Sequence, residues 1–219
     1  MEKTTPAIEF LAQLVVRASD SLRRFARSYR AILFTPGDSI PLAAAGTEWS
    51  FPLTLIIVFA LLKALLLRIA WPAAAKGIGL GTALAAGQIN IGAVFLSAVV
   101  FWLVLSVVTL LGVRVFGRQH ADLQGGMNCV AVAMVPLSAL TVVGWIVLYL
   151  SPALALVVVV FGLMASLCFY AEALRTQYNL PVGVSLYAIP LMVAVALLIT
   201  GLLVLACEAM TRGQAGGAG

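Results

Sequence analysis

Charged residues are scarce in this sequence. Only 10% of its 219 residues are charged and 63% are apolar, with a mean hydropathy of +1.12. Soluble domains carry about 25% charged and about 45–50% apolar residues. A soluble fold of this size cannot hide such an excess, because its surface must remain largely polar. The composition therefore excludes an ordinary soluble protein and predicts a membrane protein.

Residues that carry catalytic chemistry are also few. His120 is the only histidine. His120 and Asp122 could supply two metal ligands, but the sequence offers no third ligand near them. The three cysteines stand in separate apolar stretches without a CxxC spacing, so we interpret them as small packing residues. No serine or cysteine has a histidine base at a recognisable spacing, and no apolar segment carries paired carboxylates. We therefore expect no enzymatic activity, no metal site and no cofactor.

Five apolar segments are long enough to cross a bilayer, since about 20 residues of helix span a hydrocarbon core of about 30 Å. Ser151-Pro152 divides the longest apolar run, because proline removes a backbone donor and disfavours helix at the preceding residue. We therefore predict an all-α, polytopic membrane protein with five transmembrane helices, at about 51–71, 91–113, 127–150, 152–170 and 182–207.

The predicted spans divide the sequence into three parts. Residues 1–48 are expected to form a cytoplasmic amphipathic helix and a linker, and residues 49–208 the five-span domain. Residues 209–219 end in a stretch of glycine and alanine that can bury little surface. We expect a disordered tail there.

The distribution of lysine and arginine predicts the orientation. With the N-terminus in the cytoplasm, nine basic residues fall on the cytoplasmic side: six before the first span, Arg114, Arg118 and Arg175. The other side holds Lys76 and Arg212, with Arg68 near that interface. Cytoplasmic loops carry an excess of basic residues. We therefore expect a cytoplasmic N-terminus and a C-terminus on the outside.

The first 35 residues contain a basic amphipathic segment. Between Thr5-Pro6, a typical helix start, and Thr35-Pro36-Gly37, a typical stop, apolar residues recur at alternating spacings of three and four. This period predicts a helix with one apolar stripe, formed by Ile8, Leu11, Val15, Ala18, Leu22, Phe25, Tyr29 and Ile32. Five arginines off the stripe are candidates for binding a membrane surface or a partner: Arg17, Arg23, Arg24, Arg27 and Arg30.

Three interpretations of this helix stay open. In the first, the helix lies on the inner leaflet with its arginines near anionic headgroups, and each contact contributes about 1 kcal/mol. Alternatively its stripe pairs with a partner membrane protein or a second copy, or the helix is a topology signal and packing element. The expected partners are thus the lipid bilayer with its anionic lipids, and a partner membrane protein or a second copy. No nucleic-acid partner is expected beside five spans.

Lys63 is the deepest charge in the apolar segments. It lies 12 residues past Phe51, whereas Arg68 is close enough to Trp71 to reach the interface. A charge near the bilayer centre costs about 2.5–3.5 kcal/mol on insertion scales, which makes it a functional candidate. Snorkelling or a shallower helix is the alternative. The other four spans have no charge in their central parts, which disfavours an ion-coupled transporter.

Asn128 and Pro136 complete a candidate intramembrane polar site with Lys63. Asn128 is able to bond across helices, and Pro136 interrupts the third span. A proline inside a helix frees a carbonyl, which serves either a ligand site or simply the shape of the bundle. The two readings remain open.

Three segments resemble those of a known family. They are Arg30-Ala31-Ile32-Leu33-Phe34-Thr35-Pro36, then Gly125-Gly126-Met127-Asn128 running into Ala133-Met134-Val135-Pro136-Leu137, and Tyr178-Asn179-Leu180-Pro181 leading to Pro190. With five spans and a tight hairpin between the third and fourth, the chain resembles a Yip-family (Ypt-interacting protein) membrane domain of bacterial type over nearly its whole length.

The resemblance implies a fold more than an activity. Eukaryotic members of that family are implicated in membrane traffic with Rab-type GTPases and in shaping membranes, but their Asp-Leu-Tyr-Gly-Pro signature is absent here. GTPase binding therefore does not carry over. Bacterial members are mostly of undefined role, and some are described as transport proteins. The resemblance implies a location in the bacterial cytoplasmic (inner) membrane.

The expected function is that of a non-enzymatic membrane protein which organises the membrane or partner proteins through its basic helix. The alternative is a transporter or lipid-translocating protein with a path through the helix bundle, in which Lys63, Asn128 and Pro136 take part.

Overall fold

A computed structural model describes residues 6–77, 90–117 and 121–216 of the chain. Within these ranges the protein consists of seven helices and contains no strand. The helices are α1 Pro6–Phe34, α2 Pro36–Ala44, α3 Ser50–Gly77, α4 Ile91–Gly117, α5 Leu123–Leu148, α6 Pro152–Tyr178 and α7 Val182–Gly216.

Five of the helices, α3 to α7, are long and apolar enough to span a membrane. This confirms the predicted fold class. Many of their outward side chains are large and apolar, among them Phe161 on α6, which is 66% exposed, and Leu198 on α7, which is 63% exposed. Water would not tolerate so large an apolar surface, whereas lipid does. The protein is therefore a multi-pass membrane protein.

The start of α5 and the end of α6 lie further out than the hydropathy pattern indicates. α5 begins at Leu123 because the Asp122 side chain accepts a hydrogen bond from the Gly125 amide at 3.1 Å and caps the helix. α6 continues to Tyr178 and ends where Asn179 adopts a left-handed conformation, with φ of 50°. Both changes come from polar ends that a hydropathy threshold does not include.

The linker after α1 differs from the prediction. α1 ends at Phe34, as the Thr35-Pro36-Gly37 stop indicates, but the linker that follows contains the short helix α2. Pro36 is suited to the first turn of a helix because its fixed φ is helical and it needs no amide partner there. Ile40 and Ala44, one helical turn apart, are both buried against the bundle.

The last helix also differs from the prediction. α7 continues to Gly216, whereas a disordered tail was expected from residue 209. Glutamate, alanine, methionine and arginine follow Cys207, and these residues favour helix, so the helix continues into the glycine-rich stretch. The last three residues of the predicted tail, 217–219, lie outside the described residues.

α5 is the central helix of the bundle. Residues 125–136 are all buried, and α5 packs against α3, α4 and α6 as well as against α1 and α2. Gly126 allows α4 to come close, since a Cβ atom there would lie 2.9 Å from the Ser106 carbonyl oxygen. Helices in membranes often meet at such small residues. The buried first half of α5 is thus the surface on which the other elements are positioned.

Candidate functional site

The second half of α1 is docked on the transmembrane bundle. The Tyr29 hydroxyl lies 2.8 Å from Ser138 Oγ and 3.3 Å from the Val135 carbonyl oxygen, both on α5. Ile32, one turn further along α1, is only 1% exposed. The Phe25 ring packs against Phe51 at the start of α3, with 5.9 Å between the ring centres. This part of α1 is therefore a fixed component of the fold.

The predicted apolar stripe is divided by this docking. Phe25, Tyr29 and Ile32 pack within the chain, so this end of the helix is part of the core of the bundle. Leu22, the next stripe residue towards the N-terminus, is 62% exposed. The earlier stripe side chains, at positions 8, 11, 15 and 18, lie outside the described residues. The stripe from Leu22 towards the N-terminus remains a candidate for lipid or for a partner.

The arginines of α1 keep their side chains exposed. Arg23, Arg24, Arg27 and Arg30 are all accessible, and the side chain of Arg17 lies outside the described residues. Arg24 forms an ion pair with Glu48, with 3.2 Å between Nη1 and Oε1. Because both side chains are about 60% exposed, water screens this pair and it contributes little to stability.

Three of those arginines lie on the same face of α1 as the apolar residue Phe34. Arg23, Arg27, Arg30 and Phe34 follow one another at spacings of four, three and four, which places them on one side of the helix. Phe34 is 73% exposed. This side, here called the arginine face, lies opposite the docked Phe25–Tyr29–Ile32 side. Docking therefore leaves the arginine face accessible.

Asn128 holds α2 and the following turn against α5. Its Nδ2 donates hydrogen bonds to the carbonyl oxygens of Ala44, at 3.3 Å, and Gly46, at 2.5 Å. Asn128 is 2% exposed. The last carbonyls of a helix have no partner within that helix and need one from elsewhere. Asn128 thus supplies donors to the end of α2, and its polarity is accounted for by this contact.

Pro136 lies in α5 beside the contact with α1. Pro136 is buried and directly follows Val135, whose carbonyl oxygen accepts the hydrogen bond from the Tyr29 hydroxyl. α5 stays helical through the proline. Pro136 thus neighbours the α1 contact, and its roles in a ligand site or in shaping the bundle both remain predictions.

A large cavity opens between the transmembrane helices. Its volume is about 1070 Å³ and residues of α3, α4, α5, α6 and α7 line it. Along α5 the lining runs from Ala133 to Leu148, a length of about 22 Å at 1.5 Å per residue. Tyr170 lies at one end and Pro152 at the other. Such a volume is at the upper limit of the roughly 300–1,000 Å³ usual for small-molecule sites.

Lys63 is the only charged side chain among the described residues that line this cavity. It lies on α3 between Phe59 and Leu67, which line the cavity one turn away on either side. Neither ion pair found within the described ranges involves Lys63. Lys63 thus lines the cavity, and both its functional role and the snorkelling alternative remain predictions.

The hydroxyl groups around the cavity already have partners. Thr141 donates to the Leu137 carbonyl at 2.6 Å, and Ser166 donates to the Ala133 carbonyl on the neighbouring helix. The Tyr170 hydroxyl is hydrogen-bonded to Thr109 of α4. Since these groups are satisfied within the protein, they offer a ligand little beyond apolar contact.

The three residues of the predicted intramembrane site are not brought together. Of these, only Lys63 lines the cavity, whereas Asn128 serves α2 and Pro136 lies by the α1 contact. Tyr29 belongs to the predicted stripe, but the spacing of the stripe does not distinguish it as the anchor. Its hydroxyl, which is polar within an otherwise apolar stripe, was the available signal.

Two of the segments that carry the family resemblance meet in space. The Tyr178 hydroxyl lies against Gly125, where a Cβ atom would collide with it, and close to Asp122. This contact joins the start of α5 to the end of α6. It packs the two helices at the same end of the bundle as Asn128.

Across the described ranges, no group of three or more histidine, cysteine, aspartate or glutamate side chains is arranged to hold a metal ion. Comparisons of this chain with protein-family models, with curated proteins and with solved structures give no match.

Proposed function

We propose that this chain is a non-enzymatic protein of the bacterial inner membrane which organises the surrounding lipid through its basic helix. The observation that carries the proposal is the arginine face of α1. Arg23, Arg27 and Arg30 are exposed on a helix whose opposite side is fixed to the bundle by Tyr29 and Ile32. The cations therefore have a fixed position relative to the spans.

The sequence of side chains along the arginine face suits an interface. Three arginines are followed by exposed Phe34, and then α2 presents Leu42, which is 76% exposed. Trp49, between α2 and α3, is 43% exposed. Arginines pair with headgroups, whereas phenylalanine and leucine enter the acyl region and tryptophan favours the boundary. This combination of side chains is typical of a segment at a membrane interface.

The chemistry of the arginine face favours anionic lipid. Each basic residue near an anionic leaflet contributes about 1 kcal/mol, so three contribute about 3 kcal/mol at low salt. Because salt screens exposed charges, this attraction weakens as ionic strength rises. The orientation proposed from the distribution of lysine and arginine, with the N-terminus in the cytoplasm, places α1 on the leaflet side where basic segments are favoured.

The Yip-family resemblance is retained as part of the proposal. It is supported by the five-span layout and by the packing of Tyr178 on Gly125, which joins two of the segments on which it rests.

The test is lipid retention by the full-length chain. The protein is purified in mild detergent from membranes that contain phosphatidylglycerol and phosphatidylethanolamine, and the retained lipids are quantified by mass spectrometry. The variant R23Q/R27Q/R30Q is expected to lose most of the retained phosphatidylglycerol. R23K/R27K/R30K should keep it, because it retains the charge.

Arg175→Gln is the matched control. Arg175 is an exposed arginine that lies at the end of α6 and pairs with Glu172. Its removal should leave phosphatidylglycerol retention unchanged. Equal retention by the wild type and the triple glutamine variant contradicts the proposal. Loss of a co-purifying protein from that variant, with lipid retention intact, would instead identify the arginine face as a protein-binding surface.

A further inference from the structure

The cavity around Lys63 has a chemistry that restricts what it can hold. Its walls are apolar, and aromatic and aliphatic side chains from five helices contribute to them. The cavity is about 22 Å long along α5. The acyl chains of one leaflet occupy a depth of about 15 Å, so the cavity is longer than such a chain needs. An extended hydrocarbon chain therefore fits along it. A chain that enters from the bilayer moves from one apolar environment to another, so the walls contribute packing contacts and not a hydrophobic transfer energy.

One cation breaks the apolar lining. Lys63 is accessible in the cavity and belongs to neither ion pair of the described ranges. An unpaired charge at membrane depth is costly, and such residues pair with an opposite charge or mark a site. A ligand with one anionic group would supply that charge.

The number of hydrogen-bond donors without a partner limits which anionic group the cavity can bind. Thr141 and Ser166 already donate to backbone carbonyls, and the Tyr170 hydroxyl pairs with Thr109. Among the described residues that line the cavity, the donors without a partner are therefore the ammonium group of Lys63 and the indole N–H groups of Trp102 and Trp145. A carboxylate presents two oxygens, which one ammonium group can serve. A phospholipid headgroup presents more polar atoms, and each one left unpaired in an apolar site carries a penalty.

We propose that the cavity is a binding site for a long-chain fatty acid, with the carboxylate at Lys63 and the hydrocarbon chain along the apolar walls. This inference is independent of the role proposed for α1, since none of the α1 arginines lines the cavity. The site needs no covalent chemistry and no metal. It requires only that the ligand enters from the bilayer.

The experiment measures binding of radiolabelled palmitate to the full-length protein in nanodiscs made of phosphatidylcholine. Lys63→Met removes the charge but keeps an unbranched side chain, and it should lower the affinity about tenfold or more. Lys63→Arg should restore most of the affinity. Arg68→Met is the matched control, because Arg68 is the other cation of the same apolar segment and does not line the cavity.

The apolar part of the site is tested separately. Thr141→Phe adds bulk to the cavity wall and should also lower palmitate affinity about tenfold or more. Val143→Phe, two residues away on an exposed part of α5 outside the cavity lining, should have no effect. These two variants keep the test decisive if Lys63→Met fails to give a monodisperse protein.

Three results would overturn the proposal. The first is equal palmitate affinity in the wild type and Lys63→Met. The second is equal affinity of the wild type for palmitate and methyl palmitate, which has the same chain but no charge. The third is displacement of palmitate by phosphatidylglycerol with the same dependence on Lys63, which would make the occupant a phospholipid. Loss of the α1 lipid effect alone, with palmitate binding intact, concerns only the proposed function.

Discussion

The Tyr29 hydroxyl of α1 lies 2.8 Å from Ser138 Oγ in the middle of α5. These residues are 109 positions apart in the chain, and their contact attaches the basic helix to the central span. An amphipathic helix that only floats on a bilayer can rotate and slide. This one is held at Tyr29 and Ile32, so its arginine face has one orientation relative to the spans.

Tyr29→Phe should loosen α1 without unfolding the bundle. The change removes the hydroxyl that contacts Ser138 and the Val135 carbonyl, a loss of about 0.5–1.5 kcal/mol. We expect faster amide hydrogen exchange in the second half of α1, measured by mass spectrometry, and little change in α6. Tyr149→Phe, at a tyrosine that is 66% exposed, is the control. Unchanged exchange in α1 would show that the hydroxyl does not hold the helix.

Asn128→Asp should destabilise the packing of α2. It keeps the size of the side chain but replaces the amide donor with an acceptor facing the carbonyls of Ala44 and Gly46. Leaving buried polar groups unpaired costs about 1–3 kcal/mol. We expect a lower thermal unfolding temperature in mild detergent and earlier proteolysis near residues 44–48. Palmitate binding should persist, because Asn128 does not line the cavity. If Asn128→Asp abolished binding while α2 remained protected, Asn128 would belong to the ligand path.

Gly126→Ala should separate α4 from α5. The added Cβ atom would lie 2.9 Å from the Ser106 carbonyl oxygen, which belongs to the backbone and cannot turn away. Overpacking of this kind costs about 1–3 kcal/mol. The measurement is thermal unfolding in detergent, followed by circular dichroism.

Gly201→Ala is the matched control for Gly126→Ala. Gly201 lies in α7, and a Cβ atom added there would meet nothing within 4 Å, so the same substitution should be neutral or slightly stabilising. A similar loss of stability in both variants, or no loss in Gly126→Ala, would show that the close approach of α4 at Gly126 does not decide the effect.

Local features of the sequence predicted much of this fold. The lengths of the apolar segments define five spans, and the proline at position 36 ends α1, because both signals act within a few residues. α2 was missed because its stability depends on burial of Ile40 and Ala44 against helices distant in sequence. The extension of α7 to Gly216 was missed because the glycine content outweighed the favourable residues before it.

The candidate sites were predicted less completely for the same reason. A lone charge such as Lys63 is visible in any apolar segment, and the structure places it in the cavity. The cavity itself depends on how five helices are spaced, which no local pattern reports. Asn128 looked like a ligand residue because its backbone partners, on Ala44 and Gly46, lie more than 80 positions away.

We propose that the arginine face of α1 lies at the cytoplasmic leaflet, and this location can be tested directly. In a chain whose three cysteines are replaced by alanine, single substitutions Arg27→Cys, Arg175→Cys and Leu150→Cys are each labelled with a membrane-impermeant maleimide in sealed vesicles of known orientation. Positions 27 and 175 should react from the cytoplasmic side and position 150 from the opposite side. Reaction of positions 27 and 150 from the same side would contradict it.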